Sequence, residues 1–241
     1  MRWTQNGHIL ITGATQRVGL YCAERLLDAG ERLVLTYRRP KPVVEGLRQR
    51  GAICIAADFD SPQSIANLVD TLHRDVGPLR AIVHNASCWP QDQTPGTDLY
   101  QVLDAVLAVH VRAPYLLNRQ CEDLLRRGAS PWADVVHITD YVVEKGSENH
   151  IAYAASKAAM ANLTLSFAKR LAPVVKVNSL APSLLMFNDG DSPEYRERTL
   201  RKSLLGVEPG PGVIFDALAY LFDNPYMTGR EIRLDGGRHL R

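Results

Sequence analysis

The feature that most constrains this chain is a regular alternation. Short runs that are apolar throughout are separated by longer segments whose apolar residues recur at helical spacing. His8-Ile9-Leu10-Ile11 is the first run, and Arg17 to Ala29 follows with Val18, Ala23, Leu26 and Leu27 on one face. Leu33-Val34-Leu35 and Ile53-Cys54-Ile55-Ala56 come next. Ser61-Pro62 then opens a helix as N-cap and first-turn proline, with Ile65, Leu68, Val69 and Leu72 as its apolar stripe. Ala81-Ile82-Val83, Val135-Val136-His137-Ile138, Val174-Val175-Lys176-Val177 and Glu231-Ile232-Arg233-Leu234 complete seven candidate strands. Strands that are apolar along their whole length are covered on both faces, as in parallel sheets built from strand–helix–strand units. The pattern predicts an α/β chain with a doubly wound, seven-stranded parallel sheet and helices on both faces. No repeat, low-complexity tract or linker divides residues 1–241, so a single domain is expected. One stretch breaks the rhythm. Pro182 to Gly212 is rich in Pro, Gly, Asp and Ser, and residues 183–212 are read as a substrate-binding loop.

Composition narrows the partners. With 28 basic and 26 acidic side chains the net charge is only +2, which provides no bulk field to collect nucleic acid or an acidic membrane surface. No apolar run approaches membrane-span length, and the start of the chain, Met1 to Gly7, is polar and lacks a secretory-type apolar segment. Cys22, Cys54, Cys88 and Cys121 stand far apart, which is neither a zinc framework nor a disulfide scaffold. No metal is expected, and a reducing, cytoplasmic location is.

Directly after the first strand comes Thr12-Gly13-Ala14-Thr15-Gln16-Arg17-Val18-Gly19, running into a helix. Gly13 suits a tight strand-to-helix turn and Gly19 allows the helix to sit close to the sheet. The helix N-terminus offers free N–H groups to a pyrophosphate, so Thr15, Arg17 and Val18 are candidate cofactor contacts. An ordinary strand–helix loop remains the alternative. The second strand ends Thr36-Tyr37-Arg38-Arg39-Pro40, with no acid to hold a ribose 2′-hydroxyl and two arginines able to grip a 2′-phosphate. That favours NADP(H), with Tyr37, Arg38 and Arg39 at the adenosine end; a solvated basic turn is the alternative. Asp58, with Phe59 after it, closes the third strand and is placed to meet the adenine edge or to cap a turn.

Tyr153 and Lys157 stand at i and i+4 in Ile151-Ala152-Tyr153-Ala154-Ala155-Ser156-Lys157, on one face of a helix. A phenol with a pKa of about 10 is a poor proton donor at neutral pH, and a neighbouring ammonium makes it a better one. Such a pair occurs often by chance. Its weight comes from following the fifth strand in a chain that also carries a candidate dinucleotide loop.

Taken with Thr12-Gly13, Asp58, Asn85-Ala86, Asn178, Pro182 and Asp235-Gly236-Gly237, these residues resemble the short-chain dehydrogenase/reductases along the whole chain. The resemblance implies a single Rossmann domain, usually assembled as a homotetramer, and hydride transfer with NAD(P)(H). It places Asn85, Ala86, Lys157 and Pro182 at the cofactor and makes Tyr153 the proton donor, with Lys157 acidifying it. Three departures resemble the pteridine reductases of that family: Arg17 replaces a loop glycine, Asp140 replaces the usual serine, and Ser87 precedes the aromatic Trp89. The C-terminal Asp235-Gly236-Gly237-Arg238-His239-Leu240-Arg241 and the segment Ile138 to Glu144 resemble bacterial members that reduce dihydromonapterin.

The expected activity is therefore NADPH-dependent reduction of a 7,8-dihydropterin, dihydromonapterin ahead of dihydrofolate. Arg17, Ser87, Trp89, Asp140 and Tyr153 would line the pterin slot, and Arg241 would reach a neighbouring subunit's pocket. A 3-oxoacyl-type carbonyl reductase and a catalytically silent NADP(H) sensor are the alternatives. His110 stands where the family's asparagine supports a proton relay, and a core histidine is equally compatible with it. Asp140 as a turn residue and Trp89 as a rim aromatic remain open. His84 is read as core, and Trp3 and Trp132 as structural or interface residues.

Overall fold

The computed structural model describes residues 3, 6–92 and 96–241; part of the polar start of the chain therefore lies outside the described residues. Seven strands form one sheet: β1 (His8–Ile11), β2 (Leu33–Tyr37), β3 (Ile53–Ala56), β4 (Leu79–His84), β5 (Ala133–Ile138), β6 (Val175–Pro182) and β7 (Glu231–Leu234). Their order is β3-β2-β1-β4-β5-β6-β7, and every ladder is parallel. The order reverses between β1 and β4, so a crevice opens there at the carboxyl ends of the strands.

Alternate residues of each strand feed two cores, as the pleat requires. Leu10, Val34, Ile82, Val135 and Val177 face α3 (Pro62–Thr71), α5 (Ala113–Gln120), α6 (Glu122–Gly128) and α8 (Ile151–Leu171). Ile9, Ile11, Leu35, Val83 and Val136 face α1 (Arg17–Asp28), α2 (Val43–Gln49) and α10 (Gly212–Asp223). On α1 the buried face is Gly19, Cys22, Ala23 and Leu26, while Val18 and Leu27 are only half-buried. The helix turns further toward its small residues than the apolar pattern suggested. Among the described residues no helix is long and apolar enough to cross a membrane.

The segment 183–212 is not loop throughout. It contains α9 (Pro193–Leu200), capped by Ser192, whose side chain accepts from the Tyr195 N–H, with Pro193 in the first turn. This is the same Ser-Pro device that starts α3. The helix escaped periodicity because it buries little besides Thr199 and so carries no apolar stripe.

Two features organise the middle of the chain. α4 (Leu99–Leu107) runs through a π-helical turn, Ala108–Arg112, into α5, and the turn carries His110 inward. At the far end of the sheet, Asp134 on β5 is fully buried between Arg80 on β4, at 2.6 Å, and Lys176 on β6, at 3.1 Å. Lys176 also donates to the carbonyls of Leu221 and Asn224. Arg80 donates to that of Phe222. The cluster thereby satisfies carbonyls left unpaired at the C-terminus of α10. Trp3 and Trp132 pack on the same end: Trp3 lies edge-on to Phe222, and Trp132 donates to its carbonyl.

Candidate active site

The crevice is an open cleft of about 1180 Å³. Its floor is stapled by Thr12 and Asn85. The Thr12 hydroxyl accepts from the N–H groups of Asn85 and Ala86 at 3.0 Å each, and the Asn85 amide donates to the carbonyls of Thr12 and Gly13. The loop after β1 is thus tied to the end of β4. Gly13 has φ +64° and a side chain there would meet the Ala86 Cα at 2.9 Å; at Gly19 it would meet the Asn85 amide nitrogen at 2.5 Å. Both glycines are required by close packing rather than by turn geometry alone.

The first turn of α1 has no side-chain cap, since Gln16 is extended and makes none. Its N–H groups are free to meet a phosphate. Thr15, Val18, Arg38 and Arg39 line the same end, with Tyr37, Asp58 and Phe59 beyond them. The donor set fits a phosphorylated dinucleotide. Asp58 lines the cleft and caps a turn, its carboxylate accepting from the Asp60 N–H. Lys41 was not anticipated here; it lines the cleft and donates to Gln16. Arg17 has φ +48°, uncommon for a side-chain-bearing residue. Its guanidinium reaches across to the Asn188 side chain at 2.7 Å and the Met186 carbonyl at 3.0 Å, so it clasps the 183–212 segment to the phosphate loop.

At the other end Tyr153 and Lys157 project from α8, both buried. The Tyr153 hydroxyl donates to Asp140 Oδ2 at 2.8 Å, and Lys157 Nζ donates to the Ile138 carbonyl at 2.7 Å. Asp140 also accepts from the N–H of Val142, at the start of α7 (Val142–Lys145), so it is a turn residue and a site residue together. Burial, then the Asp140 carboxylate, hold the Tyr153 phenol well above its ordinary pKa. Burial raises Asp140 and lowers Lys157 to about 8. The expected acidification of Tyr153 by Lys157 is therefore not what this arrangement does. The ammonium lies 5.7 Å from the ring centre and is spent on a carbonyl, while the nearer carboxylate dominates.

Ser87, Trp89 and Pro182 line the cleft together with Tyr153. Trp89 is 60% exposed, with one face stacked on His150 at 4.3 Å and an interplanar angle of 19°. His150 was missed, because nothing local marks a residue whose partner lies across the cleft. His110 is buried against Ser87 and Ser156. His84 is core as expected, stacked on His137 with Asn118 bridging the pair. Arg241 does not line this chain's cleft. Its guanidinium donates to the Arg201 carbonyl and its own carbonyl accepts from Lys145. Arg238 lines the cleft instead, lying over the Tyr141 ring at 4.1 Å and donating to Ser183.

Residues 13–239 match the family model described as Enoyl-(Acyl carrier protein) reductase. Dihydromonapterin reductase of Klebsiella pneumoniae subsp. pneumoniae is 50% identical over 233 residues, covering 97% of each chain. The chain belongs to the short-chain dehydrogenase/reductase family. Dihydromonapterin reductase of Escherichia coli O6:H1 is 47% identical over 99% of both chains. Among solved structures, FolM alternative dihydrofolate reductase 1 of Brucella canis, complexed with NADP, superposes with a TM-score of 0.88 at 29% identity, covering 99% of this chain and 96% of that one. As a short-chain reductase, the protein departs from the family's usual Tyr153 neighbour in having a carboxylate where a serine is common.

Proposed function

We propose that this protein is an NADPH-dependent oxidoreductase that reduces a 7,8-dihydropterin to its tetrahydro form, dihydromonapterin first and dihydrofolate more weakly. The observation that carries the reading is the 2.8 Å hydrogen bond from Tyr153 to Asp140. The similarity to enzymes named dihydromonapterin reductase and to a FolM dihydrofolate reductase structure supports it.

When bound, NADPH supplies a hydride, which the pterin takes at C6 while N5 takes a proton. The chain's own residues do the rest. Gly13, Thr15, Arg17, Val18 and Gly19 hold the pyrophosphate end, and Tyr37, Arg38, Arg39, Asp58 and Phe59 hold the adenosine with its 2′-phosphate. Asn85, Ala86, Lys157 and Pro182 frame the nicotinamide end. Arg17, Ser87, Trp89 and Asp140 receive the flat heterocycle, whose stacking demand the open face of Trp89 meets. The proton leaves the Tyr153 hydroxyl for N5. Asp140, whose carboxylate accepts the phenol hydrogen and whose pKa burial raises, relays a solvent proton back to the phenolate. Tyr153, Asp140 and Lys157 titrate as one coupled group.

A homotetramer belongs to the same reading. Leu99, Tyr100 and Leu103 on α4, Tyr115 on α5 and Leu165 on α8 are large apolar residues left exposed, as at association surfaces. Four free cysteines accord with a cytoplasmic location. The test is NADPH oxidation with dihydromonapterin, dihydrobiopterin, dihydrofolate and an acetoacetyl thioester. Turnover with the pterins and none with the thioester is expected; thioester turnover alone would assign the site to carbonyl chemistry.

A further inference from the structure

His110 is fully buried on the π turn between α4 and α5, and each ring nitrogen faces a serine hydroxyl. Nε2 lies 2.8 Å from Ser87 Oγ and Nδ1 lies 2.8 Å from Ser156 Oγ. Ser156 Oγ is in turn 2.7 Å from the main-chain carbonyl of Tyr153, one helical turn back. Counting hydrogens settles the direction of every bond in this chain. A carbonyl oxygen only accepts, so the hydrogen in that last contact is the single hydroxyl hydrogen of Ser156. Ser156 then offers only lone pairs to His110, and Nδ1 must carry the ring hydrogen. Burial and the Lys157 ammonium push the imidazole's pKa down to about 2, so the ring is neutral and has one N–H. Nε2 is left as an acceptor. The Ser87 hydroxyl must donate to it.

Ser87 itself is exposed on the cleft wall beside Tyr153. A serine with a free rotor meets either a donor or an acceptor on a ligand. With its hydrogen committed to His110 rather than to the neighbouring Tyr153 oxygen, Ser87 presents only lone pairs to the cleft.

We propose that His110 is a positioning residue for ligand recognition: locked by Ser156 as the Nδ1–H tautomer, it fixes Ser87 as an acceptor toward whatever binds in the cleft. A heterocycle then docks there with an amino or ring N–H edge, and an edge of carbonyl oxygens is rejected because lone pairs would face lone pairs. For a pterin this selects the orientation with its amino edge on Ser87 and its carbonyl turned away. The ligand half of the inference rests on the dihydropterin reading; the tautomer half does not.

Two measurements test it. Neutron diffraction from crystals of the fully deuterated protein is expected to show deuterium on His110 Nδ1, none on Nε2, and the Ser87 hydroxyl aimed at Nε2. Deuterium on Nε2 overturns the inference whatever the protein reduces. The second is the dissociation constant of a pterin and of its 2-oxo counterpart, a lumazine, for the NADP-loaded protein and for His110→Phe. The unaltered protein should favour the amino compound, and the variant should lose about tenfold of that preference, the worth of one hydrogen bond, because its freed Ser87 hydroxyl can donate. The same preference in both proteins refutes the lock. Should His110→Phe fail to fold, Ser156→Ala, which loosens the same lock, is measured in its place with the same expected direction. If neither ligand binds, the dihydropterin reading fails, and the neutron result still decides the tautomer.

Discussion

Replacing Asp140 by serine separates the roles of charge and shape at Tyr153. Asp140 Oδ2 accepts the phenol hydrogen at 2.8 Å in a site where Tyr153 is buried and Asp140 half-buried. A hydrogen bond to an ionisable partner of this kind contributes about 1.5–3 kcal/mol. One pKa unit corresponds to about 1.4 kcal/mol. Removing the carboxylate should therefore bring the Tyr153 phenol down from its elevated value, since the Asp140 charge and hydrogen bond both raise it. Burial is the larger cause and persists in the variant, so the phenol should stay above its ordinary range. The measurement is the tyrosinate ultraviolet absorbance against pH, with Tyr153→Phe subtracted to isolate the one phenol. In parallel, dihydropterin turnover should slow about ten- to a hundredfold, because serine cannot relay a proton to the phenol as a carboxyl group does. The KM for NADPH should be unmoved, because Asp140 touches Tyr153 and α7 rather than the phosphate end. A phenol that titrates where it did before, or undiminished pterin turnover, would refute the reasoning from Asp140 to substrate class.

Four further outcomes are expected. Replacing Arg38 and Arg39 together by alanine should erode the preference for NADPH over NADH by at most a few kcal/mol in kcat/KM, and equal use of both cofactors by the unaltered protein would remove the basis for the 2′-phosphate contact. Trp89→Ala should raise the KM for the pterin about two- to tenfold, the worth of one aromatic pair, with little effect on NADPH; equal effects on both would mean that Trp89 serves folding through His150. Acid should destabilise the protein before its carboxylates titrate: buried His84 is lowered from 6.5 to about 4, so the stability its neutral form contributes, about 3 kcal/mol, is complete above 6.5 and is lost as pH falls toward 4. Urea midpoints that do not move between about pH 7 and pH 5 would contradict that assignment. Deleting Leu240 and Arg241 should weaken pterin binding within an intact tetramer if the tail closes a neighbouring pocket, and a tetramer with unchanged kinetics would exclude it.

How much of this was legible depends on what each feature needs from its surroundings. β1 and β3 were read to the residue, because each is a short run rich in β-branched isoleucine with a glycine just before it and a polar residue soon after; β3 keeps the pattern although it is the half-buried edge strand. The reading stopped short on β6, whose Asn178 and Ser179 look like a strand end. Both stay in the sheet because β7 and the segment before it provide partners: Asn178 is bonded to Met227 and Arg230, and Ser179 to Glu231. Arg80, Asp134 and Lys176 mislead hydropathy in the same way. Each would be exposed alone, and the three neutralise one another only once β4, β5 and β6 lie side by side. The π turn that aims His110 leaves no mark in the apolar spacing at all.

The site divides along the same line. Gly13 with Gly19 and Tyr153 with Lys157 were found because the geometry they require is local, a tight turn and a shared helix face. What those residues do was less legible, since it is decided by neighbours far along the chain. Arg17, assigned to phosphate and substrate, lines the cleft, and its guanidinium also holds Asn188 and Met186, a contact no local pattern announces. Arg238 and Arg241 are three positions apart in one short tail, and composition cannot rank them; only the 3₁₀ turn Arg238–Leu240 brings the first over Tyr141 and turns the second toward Arg201. Tyr153 is the sharpest case. From the sequence, an ammonium four residues away argues for a more acidic phenol. In three dimensions Lys157 is tied to Ile138, and a carboxylate thirteen residues upstream meets the hydroxyl directly. The sign of the pKa shift reverses because burial, then the carboxylate in direct hydrogen-bond contact, outweigh an ammonium 5.7 Å from the ring centre. Burial and Asp140, rather than Lys157, therefore set the acidity of the Tyr153 phenol.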